Sequence, residues 1–300
     1  MKLHTLLLTI PMLLLPMQAA ETGGDARLRE AIQKHVYASD AIPAQIDEIR
    51  AAIGEGADPN SPVDGKTPMD LADKIGWDWQ RAHVRQALTL GGAKATPTQA
   101  QQMLMFGVVY GYPQFVKQAL ACGAKPDDFI EGEGDIYWHC CGYSFLYALL
   151  HGFECHYDGE PVPCLELMLQ AGANPNIRNK KDGLVPLQGP NNTPEEQALL
   201  LQYGADANVT DEKGRNVLMR ELVHSQFPYA FEKMIPLFVS AGVRINHRDS
   251  QGLTVMDYAL RIHNNAIQSN KWHPKDLKRN ASIVEQLRSL GFKTSAELQE

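Results

Sequence analysis

The chain has 300 residues, of which 44% are hydrophobic, and its 28 Lys and Arg face 35 Asp and Glu for a formal net charge of −7. An acidic chain without a Lys/Arg stripe disfavours nucleic acid and anionic membrane surfaces as partners, because both recruit proteins through clustered cations. All five cysteines fall between positions 122 and 164.

In chain order, the first feature is residues 1–20: Lys2, an apolar run from Leu6 to Leu15, and the small residues Ala19 and Ala20. This is the layout of a secretory signal peptide, and the run is shorter than the ~20 apolar residues of a membrane span. Residues 21–300 then read as one domain, with no low-complexity linker to divide it. Helices are expected in pairs, at 26–36 and 45–53, 68–75 and 79–90, 98–110 and 113–121, and 145–151 and 163–170. A broken first helix near 188–192 precedes a helix at 194–202, because Gln188 to Asn192 is poor helix material. Further pairs follow at 217–224 and 229–240 and at 255–264 and 277–290, with a capping turn at 295–298.

The second helices end in a recurring phrase. Leu165, Met168 and Leu169 have the spacing of a short buried helix, and Gly172-Ala173-Asn174-Pro175-Asn176 stops it. Gly can take the left-handed conformation that ends a helix, while Pro and Asn favour the turn that follows. The phrase returns as Gly56-Ala57-Asp58-Pro59-Asn60, Gly92-Ala93-Lys94, Gly123-Ala124-Lys125-Pro126-Asp127, Gly204-Ala205-Asp206-Ala207-Asn208, Gly242-Val243-Arg244-Ile245-Asn246 and, more weakly, Gly291-Phe292-Lys293.

A second marker follows in phase. Gly65-Lys66-Thr67-Pro68-Met69-Asp70-Leu71-Ala72 aligns residue for residue with Gly252-Leu253-Thr254-Val255-Met256-Asp257-Tyr258-Ala259, and Gly142, Gly183 and Gly214 open looser copies. Thr67, Ser144, Asn216 and Thr254 are placed as N-caps, and Pro68 sits where its missing N–H costs nothing.

Two registered markers per period resemble the ankyrin repeat, whose consensus pairs a Thr-Pro-Leu-His helix start with a Gly-Ala-Asp-x-Asn ending. The resemblance covers residues 25–292 and implies an all-α ankyrin solenoid of about seven helix-turn-helix units with hairpin tips. Asp70, Tyr147, Gln188, Met219 and Asp257 replace the consensus His, so the family's bonds between repeats are expected to be weaker.

Insertions about 127–142, 152–162 and 262–276 break the period. The first two hold Phe129, Tyr137, Trp138, His139, Cys140, Cys141, Cys155, His156 and Tyr157; the third holds His263, Trp272 and His273. In an exported protein the clustered thiols suggest a disulfide, with Cys140 or Cys141 joined to Cys155 and Cys122 free to take another partner. The competing reading is a metal site from His139, Cys140, Cys141, Cys155, His156 and Cys164, although adjacent cysteines chelate poorly and no ligand spacing repeats. Cys122 and Cys164 can also be plain buried helix residues. The basic stretch 271–279 is expected to be a solvated loop.

No complete catalytic motif is present. Gly142-Tyr143-Ser144-Phe145 lacks the last Gly of a nucleophile elbow, and His247-Arg248-Asp249 has none of the companions of a kinase site. Gly65-Lys66-Thr67 has Asn60 where a phosphate-binding loop needs Gly. Asp127, Asp128, Glu131 and Glu133 read as a solvated acidic loop. A non-enzyme without cofactor or bound metal is therefore expected.

The resemblance implies protein binding through a concave face of hairpin tips and first helices. Asp64, Arg178, Lys180, Lys213 and Arg248 at the tips are candidate contacts, and Tyr137 and Trp138 are candidate anchors, since buried Tyr and Trp dominate binding energy. Trp138 could instead seal the insertion by packing over Cys141. The expected protein is monomeric by itself, periplasmic (or secreted), and docks on one protein partner. It could be an immunity protein neutralising an envelope-acting toxic enzyme, or an accessory protein of a periplasmic redox enzyme. The reading from another class is a metal-dependent enzyme using the His139/Cys140/Cys141/Cys155/His156 cluster. Asn208 matches a glycosylation pattern, but at its turn position the side chain is expected to bond backbone, leaving little space for a glycan, which favours a bacterial periplasm.

Overall fold

A computed structural model describes residues 23–37, 42–62, 64–130, 141–151, 159–189, 192–224, 231–269 and 273–299. The expected signal-peptide segment 1–20, and Glu131, Glu133, Tyr137, Trp138, His139, Cys140, Cys155, His156, Tyr157 and Trp272, lie outside these. The described residues are all-helical, with thirteen α-helices, one 3-10 turn and no strand beyond two isolated bridges. The chain divides into two compact units, Met1–Lys94 and Ala95–Glu300.

In the N-terminal unit, α1 (Gly23–Tyr37) packs on α2 (Ile42–Gly54) and α3 (Pro68–Ala72), and α2 packs on α4 (Asp78–Leu90). Leu28, Ile32, Ile49, Met69 and Leu88 are buried there. Thr67 caps α3 in a capping box with Asp70, and Pro68 takes the first helical position. The helix stops short of the expected residue 75, capped at Asp73. The Asp73 carboxylate accepts from Arg85 Nε at 3.1 Å and Nη2 at 2.6 Å, tying the turn to α4.

The C-terminal unit holds α5 (Pro97–Tyr110), α6 (Pro113–Ala121), α7 (Phe145–His151), α8 (Pro161–Gln170), a 3-10 turn (Pro186–Gln188), α9 (Pro194–Gln202), α10 (Val217–His224), α11 (Phe231–Ser240), α12 (Val255–Ser269) and α13 (Pro274–Ser289). Two rows form: α5, α7, the 3-10 turn, α10 and α12 touch in succession, as do α6, α8, α9, α11 and α13. Between the rows one apolar core continues from Ala100 to Phe292. Each helix pair thus buries its apolar side against the next pair, as the spacing of leucines and small residues requires.

The repeated phrases have repeated geometry. Gly56, Gly92, Gly123, Gly172, Gly204, Gly242 and Gly291 all have positive φ, from 79° to 101°. The N–H after each reaches back over the last turn, as in Ala173 N to Met168 O at 3.0 Å and Val243 N to Phe238 O at 2.9 Å. This six-to-one bond is the Schellman stop, which satisfies helix carbonyls that otherwise have no partner. At the other marker, Ser144 Oγ accepts from Tyr147 N, Asn216 Oδ1 from Met219 N and Thr254 Oγ1 from Asp257 N, so each caps its helix.

Bonds between neighbouring units are carried by the residue that closes the phrase. Asn208 Nδ2 donates to Gly242 O at 3.1 Å, and its Oδ1 accepts from Arg244 N at 2.7 Å. Asn60 clamps Gly92 and Lys94 in the same way, Asn176 clamps Gly204 and Asp206, and Asn246 clamps Gly291 and Lys293. Gln101 holds Lys125 from the preceding helix, and Asp127 accepts from Asn174 N. Asn208 does bond backbone, though the backbone of the next unit; turns within the phrase use the residue two earlier, as when Asp206 Oδ1 accepts from Asn208 N at 2.8 Å.

Two expectations are corrected. The 262–276 insertion is mostly helix, because α12 continues to Ser269 and α13 starts at Pro274 with the His273 ring accepting from Lys275 N. The basic stretch 271–279 is therefore not a loop from 274 onward; Lys275, Lys278 and Arg279 stand on α13, where Asn280, Ile283, Val284 and Leu287 supply the buried side. The broken first helix at the fifth pair is observed as the 3-10 turn. Polar side chains line that place: Val185 N donates to Gln188 Oε1, Asn192 Nδ2 to Pro186 O, and Gln197 Nε2 to Glu221 Oε1 at 3.3 Å.

Candidate functional site

The turn tips of the C-terminal unit are fixed by aspartates ahead of the marker glycines. Asp211 Oδ1 accepts from Lys213 N and Arg215 N, and Asp249 Oδ1 accepts from Gln251 N and Leu253 N. One carboxylate oxygen receiving two backbone N–H groups holds each turn closed. Adjacent tips are joined by main chain, Ser250 N to Lys213 O at 3.0 Å, and the His247 ring lies 2.7 Å from Gly214 O. Further along the unit, Lys180 N donates to Gly142 O at 2.9 Å and Ser144 N to Asn179 Oδ1 at 3.0 Å.

The aspartates also gather charge. Asp211 Oδ2 receives Arg215 Nε at 2.8 Å and Arg220 Nη1 at 3.1 Å. Burial opposes its ionisation, but the bonds from Arg215 and Arg220 outweigh that and hold its carboxyl below the usual range. Arg220 Nη2 also reaches Gln188 O at 3.2 Å, linking the tip to the 3-10 turn. Asp249 Oδ2 accepts from the Tyr258 hydroxyl at 2.7 Å, and burial together with that bond pushes Tyr258 up to about 12.

Two clefts open beside this framework. One, of about 530 Å³, is lined by Lys213, Arg215, Asp249, Ser250 and Gln251 from the tips, Leu222 and Val223 from α10, and Tyr258, Arg261, Ile262 and Asn265 from α12. The other, of about 360 Å³, is lined by Lys181, Asp182, Leu184, Asp211, Glu212, Lys213, Arg215 and Arg220. Lys213 and Arg215 border both. Among the described residues, the Lys213 ammonium and the Arg261 guanidinium have no ion-pair partner, whereas Arg215 and Asp249 are engaged. Val223 is 46% exposed, one of four large apolar side chains at the surface among the described residues, with Trp77, Leu90 and Ile267. The arrangement can hold a carboxylate-bearing, partly apolar ligand: one cation at a tip, another on α12, and a hydrocarbon wall beside them.

Of the sequence-selected residues among those described, only Lys213 lines these clefts. Arg178 spends Nη1 on Gly183 O within its own hairpin, Lys180 Nζ lies 4.3 Å from the centre of the Phe129 ring, and Arg248 Nη2 donates to Ser295 O. Asp64 is exposed in the N-terminal unit with φ of 52°. Arg215, Arg220, Tyr258 and Arg261 were not selected from the sequence. The signal available was the internal alignment of Asp211 to Gly214 with Asp249 to Gly252, which marks the aspartates but not the helix cations facing them.

Of the cysteines, Cys164 is buried on α8, and burial with Glu160 nearby pushes its thiol up to about 12. Cys122 follows α6, half-buried, with Gln118 Nε2 at 4.0 Å from its sulfur. Cys141 is an exposed free thiol. Cys140 and Cys155 of the expected disulfide, and most of the expected metal cluster, fall outside the described residues. Among those described, no three His, Cys, Asp or Glu side chains stand close enough to share a metal ion, and no helix is long and apolar enough to cross a membrane. The sequence matches no family model and no curated protein.

Proposed function

We propose that the chain is an ankyrin-type array of about seven helix-turn-helix units that binds one protein partner in the cell envelope and performs no chemistry of its own. The repeat reading is supported by the recurrence of the same Schellman glycine, the same N-cap and the same interunit Asn clamp at matching places. The binding reading is carried by one observation: main-chain-linked turn tips that place uncommitted Lys213 beside an uncommitted Arg261 on α12 and the exposed apolar side of α10. Turns held by buried aspartates lose little entropy when a partner docks, which favours affinity. An inhibitor or immunity role is one form of this reading, in which the captured partner is an enzyme.

Affinity capture with the full chain from the envelope fraction of its own cells tests the proposal. One protein recovered in stoichiometric amount, and released by charge reversal at the tips, is the expected result. Recovery of no protein, or turnover of a small molecule by the purified chain, overturns it. N-terminal sequencing of the exported protein checks the compartment, with a start near residue 21 expected.

A further inference from the structure

Given the protein-binding reading above, we infer that the larger cleft takes an acidic segment of the partner, with a carboxylate set between Lys213 and Arg261 and an adjacent apolar side chain laid on Leu222, Val223 and Ile262. Charge carries the argument. The chain as a whole bears −7, yet the cleft's acidic side chain, Asp249, is occupied by the Tyr258 hydroxyl and two backbone N–H groups. Arg215 is turned to Asp211. What is left to face a ligand is Lys213 from the tip and Arg261 from α12, both positive. A basic segment would meet two unpaired cations against the single, buried and hydrogen-bonded Asp249 carboxylate, and unlike-charge complementarity of this kind selects partners more than it adds affinity. The apolar wall adds the second requirement. Val223 stands exposed on α10, and Leu222 and Ile262 border the same cleft, so a purely polar acidic ligand would leave the wall wet.

The test uses the full chain and short labelled peptides in acidic, neutral and basic series matched in leucine content, with a leucine-free acidic set beside them, followed by fluorescence anisotropy. The acidic series should bind, and binding should weaken as ionic strength rises, since the cations stand at the surface. Lys213→Glu with Arg261→Glu should lower affinity about tenfold or more, because like charges are then opposed. The same reversal at Lys275 and Lys278 on α13 should leave it unchanged, and Val223→Ser should weaken acidic peptides that carry leucine more than those without it. Equal binding of the three series, no binding of the acidic one, equal loss in the α13 variant, or binding of anionic vesicles in place of peptides would each overturn the inference. If an envelope protein is captured equally by the parent and by the Lys213→Glu/Arg261→Glu variant, the acidic-segment inference falls while protein binding stands. If none is captured by the parent, the functional reading itself falls.

Discussion

Asn208 uses both ends of its amide across a unit boundary, accepting from Arg244 N and donating to Gly242 O. Asn208→Ala should therefore hand one exposed donor and one exposed acceptor to water and cost about 0.5–1.5 kcal/mol, read from urea or thermal denaturation. Glu221 is a second informative residue. Burial between α10 and its neighbours raises its pKa from 4.5 to about 7, against the opposing pull of Arg220 and the bond from Gln197. The folded chain thus holds this proton more tightly than the unfolded chain does. That contribution to stability is full below about pH 4.5 and is lost as pH rises through 7. Glu221→Gln, which keeps an acceptor for Gln197, should be more stable than the parent by about 1–3 kcal/mol above pH 7, with the gap closing towards pH 4.5. Melting curves across that range would show it; a pH-independent difference would mean that Glu221 titrates normally.

Helix ends and turns set how each element enters the stack. Thr193 caps α9 through Glu196 N, with Glu196 returning the bond to Thr193 N. Thr193→Ala should destabilise by about 1 kcal/mol. Gly214 is more constrained, because its φ is +70° and a Cβ there would stand 3.1 Å from Ser250 N on the adjoining tip. Gly214→Ala therefore combines backbone strain with a clash against main chain and should cost about 1–3 kcal/mol, while disturbing partner binding at the Lys213 tip next to it. Gly107 has a different reason to be glycine: α5 and α6 approach so closely that a Cβ would lie 2.8 Å from Val116 N.

At the scale of the whole molecule, the acidic balance and the local cations at the tips work together. The net charge of −7 repels acidic surfaces in general; in the proposed docking of an acidic segment, Lys213 and Arg261 are the local exception. Thiol accessibility provides a global check on folding. Cys164 is buried with its thiol pushed up to about 12, so it should resist alkylation at neutral pH in the native chain and react once the chain is unfolded. Cys141, exposed, should react first, and mass spectrometry of labelled peptides separates the two.

Much of the helical plan was legible before any coordinates, because it is written in local chemistry. The seven helix-ending glycines of the recurring phrase, Pro at first helical positions and Thr, Ser or Asn caps act within a few residues of themselves, so spacing alone reveals them. The collapse of one helix to the 3-10 turn was likewise visible in poor helix formers. Residues far apart in sequence were not so readable. The Asn clamps join positions about thirty to fifty residues apart, and Arg220 and Arg261 reach the tips only because α10 and α12 lie beside them. The same limit explains the departure at 274–279: its charges suggested a solvated loop, whereas Ile283, Val284 and Leu287 further along make it the start of a packed helix. By itself the sequence determined where the chain turns, stops and starts, since those are contests between neighbouring backbone groups. Which side chains meet across the stack was decided by tertiary packing, because burial and charge pairing depend on neighbours that no local pattern names.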